Sequence, residues 1–171
     1  MALDATVGGS ASNSYVTRAE ADAYFGDRLN NSVAGDWNTK SDSTSRTTAE
    51  KDAALVTATR RIDEEQFLGL KVTITQALKF PRVDLYDEDG IAFSTTAIPE
   101  RVKQATYIAA LELLKADYLA ENYLQNYSYL STGTMQFKQF TQQSAGRLPA
   151  EAMRLLRLVM TSAGGGRLVR A

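Results

Sequence analysis

The sequence predicts a mainly α-helical fold, a small bundle of about four helices with a β-hairpin or long loop near 80–95 and an extended C-terminal arm. Three observations carry that expectation. Thr17-Arg18-Ala19-Glu20 and Thr47-Thr48-Ala49-Glu50 are capping boxes, in which the Thr hydroxyl takes the N–H three residues on and the Glu reaches back. From Val102 to Leu119 apolar residues recur at helical spacing on most sides of the chain. Between 70 and 98 that period disappears, and Asp89-Gly90 marks a tight turn.

In order along the chain, residues 1–13 are rich in Gly, Ala and Ser and read as a mobile lead. The first capping box opens a short helix to about Leu29, burying Ala21, Tyr24 and Phe25. Residues 30–46 carry turn chemistry, with Trp37 as the large apolar anchor. The second box opens a helix over roughly 48–68, striped by Ala54, Leu55, Ala58 and Ile62, with Gly69 at its C-cap. Phe80-Pro81 forbids helix locally. Pro99 suits a first helical position, and the helix through 119 has so little polar face that it belongs in the centre of a bundle or against another subunit. Residues 122–146 are nearly uncharged and rich in Gln, Ser, Thr and aromatics. A last helix starts at Leu148-Pro149-Ala150-Glu151, carries Met153, Leu155, Leu156, Val159 and Met160, and ends at Gly164-Gly165-Gly166. The organisation expected is a lead over 1–13, one helical domain over 14–163 and a flexible arm over 164–171.

The chain of 171 residues is long enough to bury about 70% of its unfolded surface in one domain. No apolar run reaches the roughly 20 residues of a membrane span, and the start lacks the features of a signal peptide, so a soluble, intracellularly made protein without membrane contact is expected. Charge is unevenly placed. From Arg147 to Ala171 five Arg stand against the single Glu151, whereas the preceding residues carry 14 basic and 19 acidic side chains. A basic end behind an acidic body suits an acidic partner or phosphate; a solvated last helix would look the same.

The chain has no His and no Cys, which removes the commonest catalytic and metal-binding side chains. No Ser-His triad can form and no Ser-x-x-Lys replaces one, so no enzyme, catalytic residue, cofactor or metal is expected. Asp87-Glu88-Asp89-Gly90 invites a calcium loop, but with Gly90 sixth the end ligands fall on Leu85 and Thr96. An acidic hairpin tip is the better account. Glu64-Glu65 reads as a solvated helix face, and Gly164-Gly165-Gly166 lacks the Lys-Ser/Thr of a phosphate loop. Tyr123, Tyr127, Tyr129, Phe137 and Phe140 could form a stacking platform for single-stranded nucleic acid. Only Lys138 is basic between Glu121 and Gly146, so the same aromatics are taken as subunit-interface candidates.

Asn13-Ser14-Tyr15-Val16-Thr17, Glu20 to Phe25, Ala54-Leu55, Ala58 to Asp63, Gln76 to Arg82, Asp89-Gly90 and Ile98 to Lys103 together resemble a family of tailed-phage neck proteins, the head-to-tail connectors or adaptors. Some members of that family are labelled DnaT-like single-stranded DNA-binding proteins. The resemblance covers about Asn13 to Tyr118; where the family often has Gly after Phe80-Pro81-Arg82, this chain has Asp84. It implies a mainly helical virion protein of the neck at the portal vertex, made in the host cytoplasm. The partners implied are the portal protein, a downstream neck or tail protein (nozzle or stopper), other copies in a homo-oligomeric, usually dodecameric ring, and double-stranded genomic DNA passing through the channel. On that expectation Gly164, Gly165, Gly166, Arg167, Leu168, Val169 and Arg170 form a portal-docking arm. The alternative function is a single-stranded DNA-binding accessory protein of phage replication.

Overall fold

The computed structural model describes residues 2–28, 31–40, 42–115, 129–132, 135–138 and 148–160. Within them the chain is mainly helical: α1 (Arg18–Gly26), α2 (Asn31–Asn38), α3 (Thr48–Glu64), α4 (Glu100–Lys115) and α5 (Ala150–Leu156). Two short antiparallel ladders complete it. β1 (Leu70–Lys71) pairs with β2 (Arg82–Val83), Leu70 opposite Val83, and β3 (Tyr129–Thr132) pairs with β4 (Met135–Lys138), Tyr129 opposite Lys138.

Both capping boxes form as the sequence predicts. The Thr17 and Thr47 hydroxyls accept from the Glu20 and Glu50 amides at 3.2 Å, and each carboxylate returns to the Thr N–H at 2.7 and 2.8 Å. The core lies where α4 packs between α3 and α5. Leu55, Ala58 and Ile62 of α3, Val102, Ala105 and Ala109 of α4, and Ala152 and Leu156 of α5 belong to one buried cluster. Thr106, fully buried in α4, satisfies its hydroxyl on the Val102 carbonyl at 2.8 Å. Burial of each large apolar side chain stabilises the fold by about 1.5–3 kcal/mol.

Several elements depart from the sequence expectation. Residues 31–38 form a helix rather than turns, and the reason is tertiary. Trp37 is fully buried against Phe25, ring centroids 4.8 Å apart, and its indole N–H donates to Asp22 at 2.6 Å. α3 stops at Glu64, before 68, because the chain must turn so that Phe67 can enter the core beside Phe80. Gly69 is therefore no helix cap. Its φ of +71° lies in the left-handed region, and a Cβ there would collide with the Val83 carbonyl. α5 ends at Leu156, and Val159 and Met160 instead leave the helix to meet Leu68 and Phe67.

The expected hairpin near 80–95 exists in two parts. Its upstream arm pairs with 70–71, further back than expected, while Tyr86 and Ala92 form a bridge across the Asp87–Gly90 turn. Asp84 adopts a φ of +56°, the conformation that Gly takes at lower cost. The lead is tied to the body over 2–13. Asp4 and Asn13 bond to one another, the Asp4 carbonyl accepts from Asn13 and Ser14, and the Gly9 carbonyl accepts from the Ala77 N–H at 3.0 Å. The arm expected over 164–171 lies outside the described residues.

Candidate functional site

The segment from Phe67 to Val83 brings cations, exposed apolar side chains and a dense set of polar contacts into one hairpin. Arg82 organises it. Its guanidinium donates to the main-chain carbonyls of Leu68 (2.6 Å), Gly69 (2.5 Å), Lys79 (3.2 Å) and Phe67 (3.3 Å). Five fixed donors let one Arg hold both strands' approach, which a Lys could not do. Buried Gln76 closes the loop: its amide donates to the Leu78 and Pro81 carbonyls and its oxygen accepts from the Thr73 N–H. The cis Phe80–Pro81 peptide turns the chain between them.

Beneath the hairpin, Asp63 accepts from the Tyr15 hydroxyl and from the Lys79 N–H at 3.1 Å. Burial pushes the Asp63 carboxyl above its usual value, against the pull of those two donors. Burial, and then the Asp63 charge, push the Tyr15 hydroxyl well above the usual phenol value. The pair is a structural post for the loop, since both groups are committed to each other and to the backbone.

Ion pairs hold many of the described cations, while those of this hairpin, like Arg46, bond to main-chain carbonyls instead. Arg18–Asp52, Lys40–Glu50, Lys51–Asp22 and Lys103–Glu20 lie at 2.6–2.9 Å, and Lys115 reaches Asp36 at 3.2 Å. Lys71, Lys79 and Arg82 are different. The Lys71 ammonium bonds to the Gln76 carbonyl at 3.1 Å and that of Lys79 to the Glu65 carbonyl at 2.7 Å. Among the described residues none of these three cations forms a salt bridge, and the Asp63 charge acts on all three at longer range. Carbonyl dipoles orient a cation without cancelling its charge. On the same loop Leu68, Leu70, Val72 and Ile74 stand at every second position and face solvent, Leu70 at 66% and Ile74 at 98% exposure.

Other candidates resolve into structure. The Asp87 carboxylate accepts from the Asp89 and Ile91 amides at 3.0 and 2.8 Å, so it closes its own turn. Among the described residues no group of three or more acidic side chains could hold a metal ion, and no helix is long and apolar enough to cross a membrane. The crevice where the N-terminal loop covers Leu78, Phe80 and Ile98 has no room for a water molecule and is simply packing.

Of the residues expected to form sites, Tyr129 and Phe137 belong to β3 and β4, one position out of register with one another, since Tyr129 faces Lys138 and Phe137 faces Leu130. Tyr123, Tyr127, Phe140 and Gly164 to Arg170 lie outside the described residues. The local sequence signal of the 67–83 hairpin is weak. An alternation of Leu68, Leu70, Val72 and Ile74 was there to find, but only pairing across a loop to Arg82 makes it a surface.

A family model described as "Putative DnaT-like ssDNA binding protein" matches residues 1–171. No curated protein and no solved structure matches. The match overturns the expectation of a head-to-tail connector, and with it the neck ring, the portal protein, the downstream neck or tail protein and passing duplex DNA as partners. The physical source of that error is the nature of the motifs. Capping boxes, Phe-Pro and Pro-Glu-Arg specify helix starts and a turn, which many functions can share.

Proposed function

The chain belongs to the family of DnaT-like single-stranded DNA-binding proteins, and on that premise we propose that it binds single-stranded DNA as a non-catalytic binding protein. The function first set beside the connector as its alternative thus becomes the principal one. The observation that carries it is the family match over all 171 residues. Two features of the chain support it: the three cations of the 67–83 hairpin that form no salt bridge with a described carboxylate, and the excess of Arg after residue 147. Phosphate contacts by such cations release counterions and supply sequence-independent affinity. The proposal assigns the chain no chemistry of its own, consistent with side chains that include neither His nor Cys.

The test is fluorescence anisotropy of a labelled, unstructured oligonucleotide and of its duplex, over about 50 to 200 mM salt. Binding of the single strand in preference to the duplex, weakening linearly with the logarithm of salt concentration, is the expected result. No binding at the lowest salt, or equal affinity for duplex, refutes the proposal.

A further inference from the structure

We infer that the β1–β2 hairpin, residues 67–83, is the surface on which the single strand lies, with Lys71 holding phosphate and the exposed apolar row from Leu68 to Ile74 resting on bases. This rests on the proposed function above and locates it. Charge comes first. Seven cations of the described body sit in carboxylate pairs, whereas Lys71, Lys79 and Arg82 stand together on one hairpin with their donors on main-chain carbonyls. The chain just after α5 meets the same segment, because the Val159 carbonyl accepts from the Leu68 N–H at 2.9 Å.

Shape and polarity choose between single and double strands. A side chain such as Ile74, 98% exposed at the tip of a two-stranded ladder, is costly to leave in water. A duplex hides its base faces in the stack and offers this row only phosphates and groove edges. An unpaired strand offers apolar base faces beside its phosphates, which suits a loop that exposes Leu70, Val72 and Ile74 together with Lys71. The loop is also held ready. Arg82 and Gln76 fix its main chain from within, and the Gly9 carbonyl fixes Ala77 from outside, so little order remains to be imposed on binding.

The test compares wild type, Ile74→Ser, the double variant Lys71→Ala with Ile74→Ser, and Lys40→Ala, by anisotropy with an unstructured oligonucleotide across salt. Lys40→Ala removes the same formal charge from a carboxylate pair elsewhere. Ile74 and Lys71 are exposed, and unchanged Trp37 emission verifies that the variants fold. The double variant is expected to lose about tenfold in affinity and to flatten the salt slope by about 0.7, the share of one phosphate contact on a single strand. Ile74→Ser is expected to weaken binding with the slope unchanged, and Lys40→Ala to match wild type. If wild type binds and the double variant binds equally well, the hairpin is not the strand's seat, although the proposed function stands and the apolar row is left for a protein partner. Equal losses in Lys40→Ala and the double variant reduce the effect to overall charge and overturn the assignment. Failure of wild type to bind any single strand removes both proposals.

Discussion

At the scale of single residues, Arg82 and Glu50 show how charge is used in opposite ways. Arg82 directs its fork at four carbonyls and no described carboxylate, so its loss leaves main-chain acceptors of Phe67, Leu68, Gly69 and Lys79 without their donor. Arg82→Ala is expected to cost about 2 kcal/mol, with Arg82→Lys recovering little of it because an ammonium cannot span the four oxygens; urea midpoints of the three proteins measure this. Glu50 is paired with Lys40 at 2.6 Å and with the Thr47 amide and hydroxyl, in that order of effect, and these hold its carboxyl at about 2 against an ordinary 4.5. A folded-state value below the unfolded one means stability that is fully present above pH 4.5 and is lost as pH falls towards about 2. The urea midpoint of Glu50→Gln should therefore trail wild type at neutral pH and converge on it across that window. Added salt should narrow the gap, since the pair faces solvent.

At the scale of elements, the two long helices were legible because their signals are local. A capping box needs four consecutive residues, and Thr47→Ala should lower stability by about 1 kcal/mol through loss of the Glu50 amide's partner, read as a shift in urea midpoint without change of slope. α2 was illegible for the converse reason. Asn, Ser, Gly and Asp around Trp37 argue for turns, and only the burial of Trp37 on Phe25, with Lys51 reaching both Asp22 and Asn38, makes helix the better choice. The β1–β2 ladder was hidden by distance along the chain, since Leu70 finds Val83 across a loop whose order depends on Gln76 and Arg82. Gly69→Ala tests that ladder. The new methyl meets the Val83 carbonyl and φ is unfavourable, so a loss above about 1 kcal/mol is expected, with faster amide exchange at Val72 and Val83.

At the scale of the whole molecule, one core links the N-terminal third to α5, and Trp37 is buried in it between Phe25, whose ring also meets Tyr107, and the Lys51 ammonium. The red shift of Trp37 emission and the loss of helical circular dichroism should therefore coincide in urea; separated transitions would reveal an independently melting α1–α2 unit. Function was less legible than fold at this scale. Short motifs that specify helix starts pointed to a structural neck protein, whereas the match over the whole length identifies a DNA-binding family. The residues that compose the candidate surface owe their meaning to which cations lack carboxylates, a property that exists only once every pair has formed. The bond from Ala77 to the Gly9 carbonyl carries a practical consequence for anyone expressing this chain. The Gly- and Ser-rich start invites trimming as a floppy leader, yet a clone beginning at residue 14 would strip the outer brace from the 67–83 loop and uncover Phe80. Such a clone is expected to keep its helices but hold that loop less firmly, so an affinity handle belongs upstream of an intact start.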